Sequence, residues 1–423
     1  MAWIAQEHPV ALITESAPTS LSAAHKLSLA AAFASGAVIW FLLLSGWLGV
    51  TPGSVITQRQ NVLFSSDSSI WISAMTGETK SIFLYPHPLQ NFLWRPPARA
   101  LFHLLSVFLP ANYAALLAAR LLSAVVAGIG IGFLGYLALQ NDIPITQCVL
   151  LFSMYLLFTC NATMSLPEHF AISNGLLTIA FVVPVLTASP RIRTRVLSAL
   201  VVLCGGTTIT NALFPLASLA HFSIKSLRVR IALALAAIPA ALGVTLLLYK
   251  KSFSLHYFIG SFLNWRLIHD PLKAGVYTFF AFVGPVIGPI PRVLRFPGWD
   301  MVSYEPGHLP LQLTYHPWVL VLGVAAWLAL FLTCVLQGLR EERTRPYAWL
   351  LLGWILFNAT FHNIWGDEFI LYSPHWSWAL MGLVVLGARR LSRAFVAAMI
   401  VPITISQIWT LLAIKSALQT ITR

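Results

Sequence analysis

The residues with most chemistry to offer lie in the stretch FSSDSSIWISAMTGETKSIFLYPHPLQNFLWRPPARAL, where Asp67 stands among four serines with Trp71 one helical turn on. His87-Pro88-Leu89 and Arg95-Pro96-Pro97 follow in the same stretch. A carboxylate within hydrogen-bond reach of a hydroxyl can take its proton as that oxygen attacks. A guanidinium fork can steady a phosphate that departs. Arg95 shares the loop with Asp67 and His87, and Arg99, Lys250, Lys251, Arg266, Arg292 and Arg295 are further cations for that role. Two more acid pairs or acid–histidine pairs, Glu168-His169 and Asp367-Glu368, flank apolar segments, and Tyr372, His375, Trp376 and Trp378 follow the second. These could bind hydroxyls and stack on rings. Each has a plainer reading: Asp67 as a helix N-cap, the cations as anchors to anionic headgroups, the acids as partners of helix dipoles, the aromatics as an interfacial belt. The histidines His87, His169, His362 and His375 show no metal-ligand spacing. No cofactor is therefore expected, with a divalent cation kept only as an alternative.

The elements that hold these residues must be apolar. Of 423 residues, 58% are hydrophobic and 9% charged, with a mean hydropathy of +0.79. A soluble domain carries about 25% charged residues, so an ordinary soluble globular protein is excluded. Fifteen Trp, 26 Phe and 11 Tyr suit a protein with two membrane–water interfaces. The net charge of +13 does not point to nucleic acid, because the cations form small clusters between apolar runs. Cys148, Cys160, Cys204 and Cys334 are isolated, with no CxxC pair, which argues against a disulfide scaffold or zinc ribbon. The N-terminus lacks the basic start of a signal peptide. Residues 27–50 carry no charge and are long enough to span a bilayer, so they read as a retained first helix behind a cytoplasmic tail, residues 1–26.

From that start the chain reads as one membrane domain over 27–423, an all-α polytopic bundle of about ten or eleven membrane segments. A first external loop, 51–110, ends in an interfacial piece at 100–109. Spans follow at 111–140, at 144–163 and up to Arg191. Residues 196–222 are broken by CGGTTITN and lie between basic clusters, which predicts a hairpin of two short helices with that stretch at its outer tip; a single kinked helix is the other possibility. A span at 231–249 leads to a second external loop, 250–314, whose FFAFVGPVIGPIP looks re-entrant or interfacial. Further spans are read at 315–337, 347–364, 375–388 and 394–414. Thirteen of the 26 Lys and Arg fall on the inner segments, whereas Asp67, Glu78, Glu168, Asp270, Asp300, Glu305, Asp367 and Glu368 all fall outside. Acids so scarce and so one-sided suggest a polar site at the outer face, although topology alone also produces asymmetry.

This layout resembles the GT-C superfamily of integral membrane glycosyltransferases, which use polyprenyl-phosphate-linked sugars. In that family a first helix is followed by a large external loop that opens with a catalytic Asp. Asp67 occupies that place, and His87-Pro88-Leu89 resembles the HPL element of bacterial members. Leu166-Pro167-Glu168-His169 and the segment from Asp367 to Trp376 are similar to later external turns of the family. The resemblance implies a GT-C-like bundle with interfacial helices in its external loops. It implies inverting transfer from a polyprenyl-phosphate sugar to a hydroxyl of a surface glycan, a lipid or a lipid-linked glycan. Asp67 is then the base, and Arg95, Arg266 and Arg292 are candidates for the donor phosphate. His87, Glu168, His169, Asp367, Glu368, Tyr372 and His375 are candidates for substrate binding. The expected setting is a bacterial inner membrane, with the site facing the periplasm or exterior. A transporter or flippase of lipid-linked saccharides, or a glycan polymerase or ligase, is the alternative; no repeat or mid-membrane acid favours transport.

Overall fold

The structure, a computed structural model, describes residues 21–77, 87, 89–223, 271–304, 315, 317–364 and 369–421. Arg266, Asp367, Glu368, Lys250, Lys251 and the span expected at 231–249 lie outside these residues. The described elements are α1 (Ala23–Trp47), α2 (Val55–Gln58), α3 (Ser68–Thr76), α4 (Gln90–Leu93), α5 (Arg95–Leu105), α6 (Ala111–Gln140), α7 (Ile145–Leu156), α8 (Asn161–Met164), α9 (His169–Leu186), α10 (Pro190–Thr207), α11 (Leu213–Ser223), α12 (Pro271–Val283), α13 (Trp318–Arg340), α14 (Arg345–Ile364), α15 (Phe369–Tyr372), α16 (Pro374–Ala388) and α17 (Arg393–Ile421). A two-stranded antiparallel hairpin, β1 (Arg292–Phe296) and β2 (Trp299–Ser303), is the only sheet among them. Five helices, α1, α6, α9, α13 and α17, are long and apolar enough to cross a membrane. The fold is all-α and that of a membrane protein.

α6 is the axis of the N-terminal half and packs against both α1 and α9. Small residues make this possible. Gly128 and Gly132 of α6 face Ala34 and Ala30 of α1, and a methyl added at Gly175 of α9 would collide with the Val126 carbonyl of α6. Backbones in such contact gain dispersion energy that larger side chains would prevent. The one cation inside α6, Arg120, donates to the carbonyls of Leu42 (2.6 Å) and Val50 (3.4 Å) at the end of α1, so its charge is not left bare.

The second half is built around α16. All its residues are buried, between α9, α13 and α14. Trp376 and Trp378, offered by the sequence as a belt or sugar wall, are fully buried here. Their indole N–H groups donate to the Ala281 and His375 carbonyls, each at 2.8 Å. They are core residues with a satisfied polar edge.

Three further differences have local causes. α1 starts at Ala23, because Ser22 caps it by accepting from the His25 backbone N–H. The span expected at 144–163 stops at Leu156, where the Trp40 indole and the Asn161 amide take its last carbonyl. The GPVIGPIP stretch after α12 runs inside the bundle. There the Thr159 and Cys160 backbone N–H groups bond to Val286 and Pro285, Tyr315 to Ile287, and Gln407 and Thr410 to Val286 and Gly288. Irregular backbone away from water requires such protein partners. The stretch at 196–222 does break: Thr208 is extended, a short 3-10 turn spans Ile209–Ala212, and α11 packs back against α10 and α9.

Candidate active site

The site begins in a tight turn ahead of α3. Asn61, Phe64 and Ser65 all take left-handed backbone angles, with φ of 59°, 51° and 59°. For a bulky Phe this conformation is strained and must be held from outside. The holding comes from the hairpin. Phe64 N–H donates to the Val302 carbonyl and Val302 N–H to the Val62 carbonyl, both at 2.8 Å, while the Phe64 ring stacks on Tyr304 at 4.7 Å. Asn61 N–H closes the turn on the Ser66 carbonyl at 2.8 Å. Asp67 emerges from this clamp as the N-cap residue of α3.

By position Asp67 is a cap, but its side chain makes no capping hydrogen bond. Glu168, the N-cap residue of α9, makes none either. A capping carboxylate normally accepts from the second or third helical N–H; both of these are left available for something else. They are neighbours. The Glu168 carboxylate lies against the start of α3, near the Asp67 backbone N–H and the Ser68 side chain. Trp71 of α3 packs over His169 of α9, with ring centroids 5.7 Å apart.

Burial governs the charge of the pair. Loss of water raises Glu168 to about 8, with the Asp67 N–H and Ser68 pulling it back only in part. Asp67 is less buried; desolvation, then repulsion from Glu168, raises it to about 7. Carboxyls that repel one another titrate as a unit, so the pair carries at most about one negative charge near neutrality. Glu168 Oε1, Ser68 Oγ and the Trp71 indole nitrogen are shut off from solvent and have no hydrogen-bond partner among the described residues. Ser68 favours the Glu168 anion by proximity but without the alignment of a hydrogen bond. Each such orphan costs on the order of 1–3 kcal/mol. Three such orphans around the start of α3 and the Glu168 carboxyl are a concentration of unpaired polar atoms that the fold alone does not account for.

Histidines form one wall. The His87 and His169 rings touch at a tilt of 50°, with centroids 3.9 Å apart, and His169 lies 6.3 Å from His375. His169 Nδ1 is 3.6 Å from Glu168 Oε2. His87 Nδ1 is 2.6 Å from the Thr207 carbonyl. A carbonyl only accepts, so Nδ1 carries the hydrogen. Burial holds His87 well below the usual histidine range, with His169 adding to the effect. The ring is neutral, and its Nε2 is left as an acceptor. His362 and Tyr372 stack at 4.6 Å behind this wall, and Phe170 joins Tyr372 to His375.

The break after α10 is what fixes His87. Besides Thr207, the Gly206 carbonyl accepts from Leu89 N–H at 2.9 Å, and the Trp94 indole donates to the Thr207 hydroxyl at 2.8 Å. Both CGGTTITN and His87-Pro88-Leu89 stand out in the sequence, but nothing in one dimension ties them together. Ser68 and Thr207 were not legible as site residues. Ser123 also escapes a sequence reading; it donates to the Glu168 carbonyl at 3.0 Å and seats the start of α9 on α6.

The cations are placed differently. Arg95 and Arg99 reach Gly77, the residue after α3. That helix has nine residues and is about 13 Å long, so they lie at its far end from Asp67. Arg292 sits on β1 opposite Ser303, in the hairpin that clamps the turn before Asp67. The structure thus brings Asp67, Glu168, His87, His169 and His375 together, with Tyr372 behind, and puts Arg95 and Arg292 at the periphery. Among the described residues no group of three or more His, Cys, Asp or Glu is set to share a metal ion. The chain matches no protein-family model, no curated protein and no solved structure.

Proposed function

We propose that the protein is a GT-C-like, inverting glycosyltransferase. It moves a sugar from a polyprenyl-phosphate carrier to a hydroxyl of a surface glycan, a lipid or another lipid-linked glycan. The observation that supports this best is the pair of uncapping carboxylates, Asp67 and Glu168, at two helix starts beside a histidine wall. Asp67 takes the acceptor proton as the new C–O bond forms at the anomeric carbon. The bond to phosphate breaks on the opposite face, and its electron pair leaves with the phosphate. An acid that titrates near the working pH suits a general base. His87 Nε2 and His375 are the groups that receive sugar hydroxyls in this reading. Arg95, Arg266 and Arg292 serve the donor phosphate. Asp367, Glu368 and Tyr372 contribute to the acceptor side.

A lipid-linked donor explains why the site is carried by an apolar bundle. In this reading about ten or eleven membrane segments place the site at the outer face of a bacterial inner membrane, with the basic clusters and the tail in the cytoplasm. The test is transfer from a synthetic polyprenyl-phosphate sugar by purified protein in vesicles. Wild type should transfer and Asp67→Asn should not. Transfer by Asp67→Asn at the wild-type rate would remove Asp67 from the mechanism.

A further inference from the structure

Glu168 has no task in the scheme above beyond lining the site, yet its environment is more demanding than that of Asp67. It is 2% exposed, against a half-buried Asp67. Its Oε1 has no hydrogen-bond partner among the described residues, and His169 Nδ1 stands 3.6 Å from Oε2. The backbone of Glu168 is fixed by the Ser123 hydroxyl and by the contact of Gly175 with α6. Of two neighbouring carboxyls, the one with less water keeps its proton longer.

The charged and titratable groups around Glu168 are few among the described residues. α3 contributes Asp67, α9 its own His169, the segment before α4 His87, and α16 His375. Arg95 and Arg99 of α5 lie at the far end of α3, and Arg120 of α6 is turned to the carbonyls of α1. No described cation is placed to hold a second negative charge on the pair.

We propose that Glu168 is the proton-carrying half of a carboxyl pair, protonated while Asp67 is ionised, and that this single charge is what admits the anionic donor. The inference rests on the glycosyltransferase reading for its consequence, but not for the state of the pair. Before transfer the pair holds one proton and a charge of −1. Asp67 receives the acceptor proton, so that after transfer the pair holds two protons and no charge, and one proton then returns to water. If Glu168 also ionised, the pair would carry −2 and repel the donor phosphate. Glu168 is therefore a positioning residue for charge.

The expected kinetic result is that the donor KM of wild type rises as pH climbs past neutrality, roughly tenfold per additional pH unit once Glu168 ionises. Glu168→Gln, a permanently neutral isostere, should show a donor KM that stays flat with pH. Glu168→Asp should keep the pH-dependent KM. A flat wild-type donor KM, or an alkaline rise that survives Glu168→Gln, overturns the proposal. Infrared difference spectra across the same pH range, in a detergent without carbonyl groups, need no activity. They should show a protonated carboxyl band in Asp67→Asn, where Glu168 is the remaining member of the pair, that is missing in the Asp67→Asn/Glu168→Gln double variant. An unchanged band in the double variant overturns the proposal even if no sugar is transferred. A missing transfer activity with the expected band would instead sink the glycosyltransferase reading and leave the pair standing.

Discussion

Acids occupy two ends of this bundle, about 26 Å apart along α6 from Ser123 to Gln140. At one end Asp142 lies between Lys26 (3.8 Å) and Arg389 (3.9 Å), and Glu341 meets Arg390 at 3.4 Å. These pairs join the start of α1, the end of α6 and the connections on either side of α14 and α16. They are partly solvated and replaceable. At the other end the Glu168 carboxyl lies against the Asp67 backbone N–H, with no described cation paired to either acid, and neither is used to cap its own helix. The first arrangement lowers the energy of the fold a little. The second raises it, and is tolerated because the surrounding clamp and helix contacts hold it in place. Acids that stabilise and acids that are kept reactive can thus be told apart by their partners, not by their residue type.

The largest effect should separate the two ends directly. Asp67→Asn is expected to lower transfer by about 10²–10⁴-fold with little change in melting. Asp142→Asn, at the opposite end and paired with the buried Lys26 and the exposed Arg389, should leave transfer intact. Equal losses of activity in the two variants would erase the distinction.

Next in size is the support beneath Glu168. Gly175→Ala places a methyl against the Val126 carbonyl, and overpacking of this kind costs about 1–3 kcal/mol. Thermal unfolding in detergent should drop by several degrees. The comparison substitution, Gly353→Ala, meets no atom within 4 Å in α14 and should be neutral or slightly stabilising.

A third expectation concerns pH and has a definite sign. Asp67 rises from 3.8 to about 7 and Glu168 from 4.5 to about 8 on folding. Between those limits the native state binds more protons than the unfolded chain, so stability falls as pH rises through the window. Wild type should therefore lose melting temperature from pH 5 to about pH 8, and Glu168→Gln should lose less, the two converging at the acid end. The opposite order at alkaline pH would mean that Glu168 is stabilised as an anion. The smallest effect should come from Thr207→Val, which removes the hydroxyl partner of the Trp94 indole. A loss of about 1 kcal/mol is expected, with His87 still held by the Thr207 backbone carbonyl.

Much of the scaffold was legible because its signals are local. α6 coincides with the apolar run 111–140, and α13, α14 and α16 fall close to their expected limits, whereas α17 starts as expected but runs on through the expected tail to Ile421. The break near Gly205-Gly206 was legible as helix-breaking composition. Asp67, Glu168 and His169 stood out as rare polar residues in an apolar chain. What could not be read was contact over long separations. The burial of Trp376 depends on the Ala281 carbonyl, 95 residues away, and the His87 tautomer on Thr207, 120 residues away. The early end of α7 likewise reflects Trp40. The distance of Arg95 from Asp67 follows from α3 being a straight helix that points them apart, whereas a loop of the same length could have folded them together.

The buried stretch after α12 has a consequence for how the protein comes into being. Its Gly288 carbonyl accepts from Thr410, and Val286 shares Gln407, both on α17, more than a hundred residues later in the chain. A ribosome delivers 284–290 well before it delivers those partners. In the interval the exposed carbonyls need water or the walls of the insertion machinery, because lipid offers them no donor. Maturation therefore finishes only when α17 docks beside α13 and closes over this stretch. Nascent chains stalled before α17 should be recognised as unfinished by membrane proteases, however well their earlier helices have inserted.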